Sequence, residues 1–179
     1  MTEKQQKILK RTLKWTILLI CVIIFLKILE DVFEKDKLII DTIVYNFVVL
    51  KLRMEPLTTI MKIITNLGGA YFLIGITILS IIFLKDKKIS LLISLNLVIS
   101  TILNILLKNI IQRPRPEGYR LIEETGYSFP SGHSMVSMAF YGFIIYLIWK
   151  KVENKKIKYT LCTILTILML AIGISRIYL

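Results

Sequence analysis

From Ile89 to Leu107 the sequence carries no charged side chain, and four further apolar runs are spaced along the rest of it. A helix needs about 20 mostly apolar residues to cross the hydrocarbon core of a bilayer. In lipid every backbone polar group must be satisfied within the protein, so such runs read as helices. The expected fold is therefore all-α: a polytopic transmembrane helix bundle, one domain over residues 1–179. Five spans are expected, at Trp15–Leu29, Leu57–Leu84, Ile89–Leu107, Ser134–Trp149 and Tyr159–Ile174. Lys27 can snorkel from the end of the first. The second is long enough to tilt or to begin in the interface. Between the first two, "LIIDTIVYNFVVLKL" (38–52) reads as an amphipathic helix lying at the membrane surface. The basic N-terminus followed by "WTILLICVIIFL" has the form of a signal peptide, but no small-residue cleavage site follows, so an uncleaved span is expected.

Charge then sets orientation. There are 24 Lys+Arg against 12 Asp+Glu, a formal net charge of +12, in a chain that is 55% hydrophobic. The charges fall in short clusters between apolar runs, not along one face, which argues against nucleic-acid binding. Basic residues crowd the tail 1–14, the turn "KDKK" (85–88) and the loop 150–158. Alternating spans put all three on one side, and the positive-inside rule makes that side cytoplasmic. Loop 108–130 and the end of the fifth span then face outward, so a multi-pass cell-membrane protein is expected. Yet that outward side carries Lys108, Arg113, Arg115, Arg120 and Arg176. Basic residues placed against the orientation signal call for a local reason, and the simplest is an anion. Asn96, Ser100 and Asn104 recur at helical spacing and lead to Lys108. That stripe should face the bundle interior, through interhelical hydrogen bonds, support of a site above it, or both. Cys21 and Cys162 lie in apolar runs without CxxC spacing and read as small buried hydrophobes.

Three stretches share the outer side. In "KNIIQRPRP" (108–116), Lys108 offers a point charge and Arg115 a planar fork for phosphate oxygens. Pro114 and Pro116 end the helix there. In "PSGH" (130–133), Ser131 can cap the next helix and Gly132 admits close backbone approach. Helix N-terminal N–H groups bind anions, and His133 is placed to exchange a proton with one. Ser175-Arg176 brings a second guanidinium. Singly, a basic loop at a membrane edge reads as a headgroup contact, and a Ser-Gly-His turn as a helix cap.

Together these stretches resemble the type-2 phosphatidic acid phosphatase superfamily of integral membrane lipid phosphatases, whose pattern is K-x6-R-P, P-S-G-H and S-R-x5-H-x3-D. Lys108, Arg115 and Pro116 match the first block; Pro130 to His133 match the second; Ser175 and Arg176 open the third. The resemblance covers roughly residues 40–179, with "TNLGG" (65–69) a weaker echo of bacterial members. It implies a hydrolase acting through a phosphohistidine, with no cofactor and no metal. His133 would be the catalytic proton donor to the leaving oxygen; Lys108, Arg115, Ser131, Gly132 and Arg176 would bind the phosphate. The implied substrates are lipid phosphates or isoprenyl diphosphates, of undecaprenyl diphosphate or phosphatidylglycerol phosphate type, met among membrane lipids at the outer face. The third-block histidine, its aspartate and the family's sixth span fall beyond Leu179. As given, the chain is therefore expected to bind phosphate and barely hydrolyse it, either as a truncated product or as a natural short form. The alternative is a non-catalytic lipid-phosphate-binding membrane protein.

Overall fold

The computed structural model describes residues 2–33, 43, 46–48, 52–115, 121, 122 and 124–179. Among the described residues these helices follow one another: α1 Glu3–Phe33, α2 Glu55–Leu67, α3 Ala70–Phe83, α4 Lys87–Ile111, α5 Gly132–Lys151 and α6 Lys155–Tyr178. The chain divides into two compact units, Met1–Thr42 and Ile43–Leu179. In the first, α1 covers the whole of the first expected span. Most of the expected interfacial helix over 38–52 lies outside the described residues, as do Pro116 and Arg120.

In the second unit, local chemistry fixes where the helices start. Pro56 stands in the first turn of α2, where a missing N–H costs nothing. Asp86 caps α4 by accepting from the Lys88 amide at 3.1 Å, and Asn154 caps α6 by accepting from Ile157 at 3.2 Å. Three helices, α4, α5 and α6, are long and apolar enough among the described residues to cross a membrane. At 25 residues, α4 reaches roughly 37 Å at the usual helical rise.

The second expected span is not one straight helix. It breaks at Gly68-Gly69 into α2 and α3, which bend by 45° and pass the spanning criterion only as a pair. A Cβ at Gly68 would lie 2.6 Å from Ile172 Cγ2 on α6, so only glycine lets the break sit against that helix. Irregular backbone at membrane depth persists only where protein satisfies it. Here the amides of Gly68 and Gly69 donate to the carbonyls of Thr65 and Asn66, both at 3.0 Å, and the Tyr141 hydroxyl on α5 donates to the Leu67 carbonyl at 2.6 Å.

Leu73, Ile93, Phe140, Tyr141 and Ile172 make the core, drawn from α3, α4, α5 and α6. Buried beside them are Thr65, Thr77, Ser90, Ser100, Asn104, Ser137 and Ser175. Small polar residues in the seams let helices approach closely in lipid, where apolar burial between helices gives little drive. Ser90 Oγ, for example, donates from α4 to the Ser80 carbonyl of α3 at 2.8 Å. The Asn96–Ser100–Asn104 stripe faces inward as expected, Asn96 half-buried and the other two buried. The cysteines do not join the core: Cys21 is exposed and Cys162 half-buried.

At one end of this unit, Lys151 Nζ lies 3.8 Å from Asp86, so the α3–α4 and α5–α6 turns meet. At the other end lie the exit of α4, the start of α5 and the close of α6. Tyr178 ties that end together: its hydroxyl lies 2.9 Å from Thr58 Oγ1 and accepts from the Met54 amide at 3.3 Å.

Candidate functional site: a cation cradle closed by a carboxylate

Helix α4 ends one turn past Lys108. Gln112 takes a left-handed conformation (φ 50°) and its amide returns to the Lys108 carbonyl at 2.9 Å. Arg113, which precedes a proline, is disfavoured from continuing a helix, and the chain turns back over the bundle. Ser128 then pins the two arms of the loop. Its amide donates to the Arg113 carbonyl at 2.9 Å, and its hydroxyl donates to the carbonyls of Arg113 and Pro114 at 3.1 and 2.9 Å. Arg115 is held the same way, Nε donating to the Gly126 carbonyl at 2.9 Å and an NH2 to the Thr125 carbonyl at 3.2 Å.

Ser131 caps α5, its Oγ accepting from the Ser134 amide at 3.4 Å. The cap leans on α4. Asn104 Nδ2 donates to the Pro130 carbonyl at 3.3 Å, and a Cβ at Gly132 would lie 3.2 Å from Asn104 Oδ1. The inward stripe of α4 thus sets the height of the Pro-Ser-Gly-His turn, and the first N–H groups of α5 have no intrahelical acceptor. His133 Nε2 lies beside the α2–α3 break, 3.7 Å from where a Cβ at Gly69 would sit.

Arg176, in the last turn of α6, has NH1 3.4 Å from Thr65 Oγ1 at the end of α2. Its Nε is buried and has no hydrogen-bond partner among the described residues. An orphaned buried donor costs about 1–3 kcal/mol, which an anion arriving there would relieve.

These groups converge. Glu124 Oε1 lies 2.6 Å from Arg176 NH2 and 3.9 Å from His133 Nδ1, while Oε2 lies 3.2 Å from Arg115 NH2. All four side chains are half-buried. Lys108 interacts electrostatically with Arg115, Glu124 and Arg176, and His133 with Arg176, Glu124 and Lys108. Lys108, Arg115, Ser131, Gly132, His133 and Arg176, singled out in the sequence, thus gather at one end of the bundle. Of three further residues of this cluster, the sequence reading had Asn104 in the inward stripe and Thr65 within TNLGG, and it missed Glu124. Glu124 is the carboxylate at its centre, Thr65 steadies Arg176, and Asn104 steadies the turn.

A family model described as the PAP2 superfamily matches residues 89–179. Phosphatidylglycerophosphatase B of Bacillus subtilis (strain 168) is 33% identical over 135 residues, which cover 72% of this chain and 65% of that relative. The chain thus spans just under two thirds of that protein's length. A crystal structure described as the first transmembrane PAP2 type phosphatidylglycerolphosphate phosphatase from Bacillus subtilis is similar at TM-score 0.78 and 30% identity, over 89% of this chain and 82% of that one.

Proposed function

This chain belongs to the PAP2 superfamily, and from that premise we propose that it binds the terminal phosphoryl group of a membrane lipid and takes part in its hydrolysis. The names of the two relatives favour phosphatidylglycerol phosphate over an isoprenyl diphosphate. The observation that carries the reading is the convergence of Arg115, His133 and Arg176 on one carboxylate, which sits where an oxyanion would.

In this reading Arg115 and Arg176 take the non-bridging phosphoryl oxygens in their planar forks. Lys108 adds a point charge, and Ser131 with the α5 N-terminal amides completes the cradle. Such fixed donors stabilise charge that develops in the transition state without reorganising at the moment of reaction. His133 donates the proton to the leaving alcohol oxygen. Attack on phosphorus comes from the opposite face, so His133 does not serve both ends of the displacement. The apolar, lipid-facing helices let an acyl chain stay in the bilayer while its headgroup enters. Basic residues at 85–88 and 150–158 on the opposite end of the unit support an extracytoplasmic site.

A second reading is a lipid-phosphate binder without turnover, since a cradle that holds a carboxylate between two guanidiniums holds an anion whether or not hydrolysis follows. One experiment separates them. Purified protein in detergent is titrated with orthophosphate by calorimetry and assayed for phosphate release from short-chain phosphatidylglycerol phosphate. Binding lost on Arg115→Ala or Arg176→Ala, with release lost on His133→Ala, is the expected result. Binding without release selects the second reading. Binding unchanged in both arginine variants refutes the site.

A further inference from the structure

The cradle is not open. Glu124 spans it, one oxygen on Arg176 and the other on Arg115, with His133 Nδ1 3.9 Å away. Two oxygens bridging two guanidiniums are the arrangement that two phosphoryl oxygens would make. Any anion that enters must therefore exchange with a resident carboxylate. The displacement cost is the same for every entrant, so it subtracts an equal amount from each affinity. Its consequence is unequal. A phosphomonoester carries a charge of about −1.5 to −2 at pH 7. A phosphodiester, the linkage in the lipids around the site, carries a single charge and binds three cations more weakly. A common penalty can leave the first bound and push the second below its ambient concentration.

Resting on the function proposed above, we propose that Glu124 is a specificity-determining residue: a resident carboxylate that occupies the cradle between Arg115 and Arg176 and sets a threshold which phosphomonoesters cross and the phosphodiester headgroups of the bilayer do not. The same threshold would release a product whose remaining phosphate is a diester. The alternative role for Glu124 predicts the opposite sign. Were the carboxylate only a brace holding the two arginines in place, removing its charge would loosen the cradle and weaken phosphate binding.

The test is competition binding on the full chain in neutral detergent, with methyl phosphate as the monoester and dimethyl phosphate as the diester. Wild type should bind methyl phosphate, and excess dimethyl phosphate should not compete. Glu124→Gln keeps the shape and loses the charge. Loss of the charge weakens the resident's hold on both guanidiniums, so each ligand should tighten at least about tenfold in that variant. Dimethyl phosphate should then compete. Weaker methyl phosphate binding in Glu124→Gln would overturn the proposal in favour of the brace. Competition by dimethyl phosphate in wild type would overturn it with no variant needed, so a Glu124→Gln chain that fails to fold leaves it open to refutation. No methyl phosphate binding in wild type would instead overturn the reading of the site itself, and this inference with it.

Discussion

Replacing Tyr141 by phenylalanine removes one oxygen atom and should weaken the joint between α2 and α3. The hydroxyl donates to the Leu67 carbonyl at 2.6 Å, from a ring that is 2% exposed. Leu67 is the last residue of α2, so its carbonyl has no acceptor role left inside that helix. Phenylalanine keeps the ring and its edge-to-face contact with Phe140 (centroids 5.6 Å apart, planes at 84°). The loss is therefore one hydrogen bond plus a part-buried acceptor left unsatisfied, about 1–3 kcal/mol. Interhelical hydrogen bonds in membrane bundles average only about 0.6 kcal/mol, because the unfolded chain in the membrane finds other partners. A carbonyl at a helix break has fewer substitutes than a side chain on a continuous helix, which places the expectation near 2 kcal/mol. Equilibrium unfolding in mixed micelles, followed by circular dichroism, measures it. Tyr146→Phe is the control, since Tyr146 is 55% exposed. A loss of less than about 0.5 kcal/mol for Tyr141→Phe, the scale of a surface change, would refute the argument that this hydroxyl holds the break.

Gly132→Ala should push Asn104 away from the turn it supports, since the new Cβ would lie 3.2 Å from Oδ1. A strain of about 1 kcal/mol corresponds to roughly fivefold weaker phosphate binding by calorimetry. Gly68→Val meets Ile172 Cγ2 at 2.6 Å and should lower stability by about 1–3 kcal/mol. Ile172→Ala in the same chain should recover part of that loss in a double-mutant cycle. Arg176→Lys keeps the charge but loses the fork that reaches both Thr65 and Glu124. Phosphate affinity should fall about tenfold, read by the same titration.

The helices were legible because lipid imposes a single demand, length without charge. Ile89–Leu107 and its neighbours meet it in plain sequence, and the observed α4, α5 and α6 extend two to four residues past each expected end. The break at Gly68-Gly69 was not legible. Glycine pairs also occur within continuous spans, and only the proximity of Ile172 and Tyr141 decides between them. The cations of the cradle stood out by violating the orientation rule, and Asn104 by its inward period. Glu124 had neither signal. It is one of three acids in loop 108–130 and has no periodicity, and its place among three cations depends on Arg115 folding the chain back onto itself. The expected interfacial segment over 38–52 lies mostly outside the described residues.

Arg115 has two kinds of partner, and the difference governs how quickly the site can change hands. Its links to the Thr125 and Gly126 carbonyls hold the main chain; its link to Glu124 holds only a side chain. An arriving anion needs to break the second and not the first. Exchange is then a side-chain rearrangement that leaves the main chain of the loop in place. Occupancy of the cradle would follow the lipid supply at its mouth without a slow gate between them.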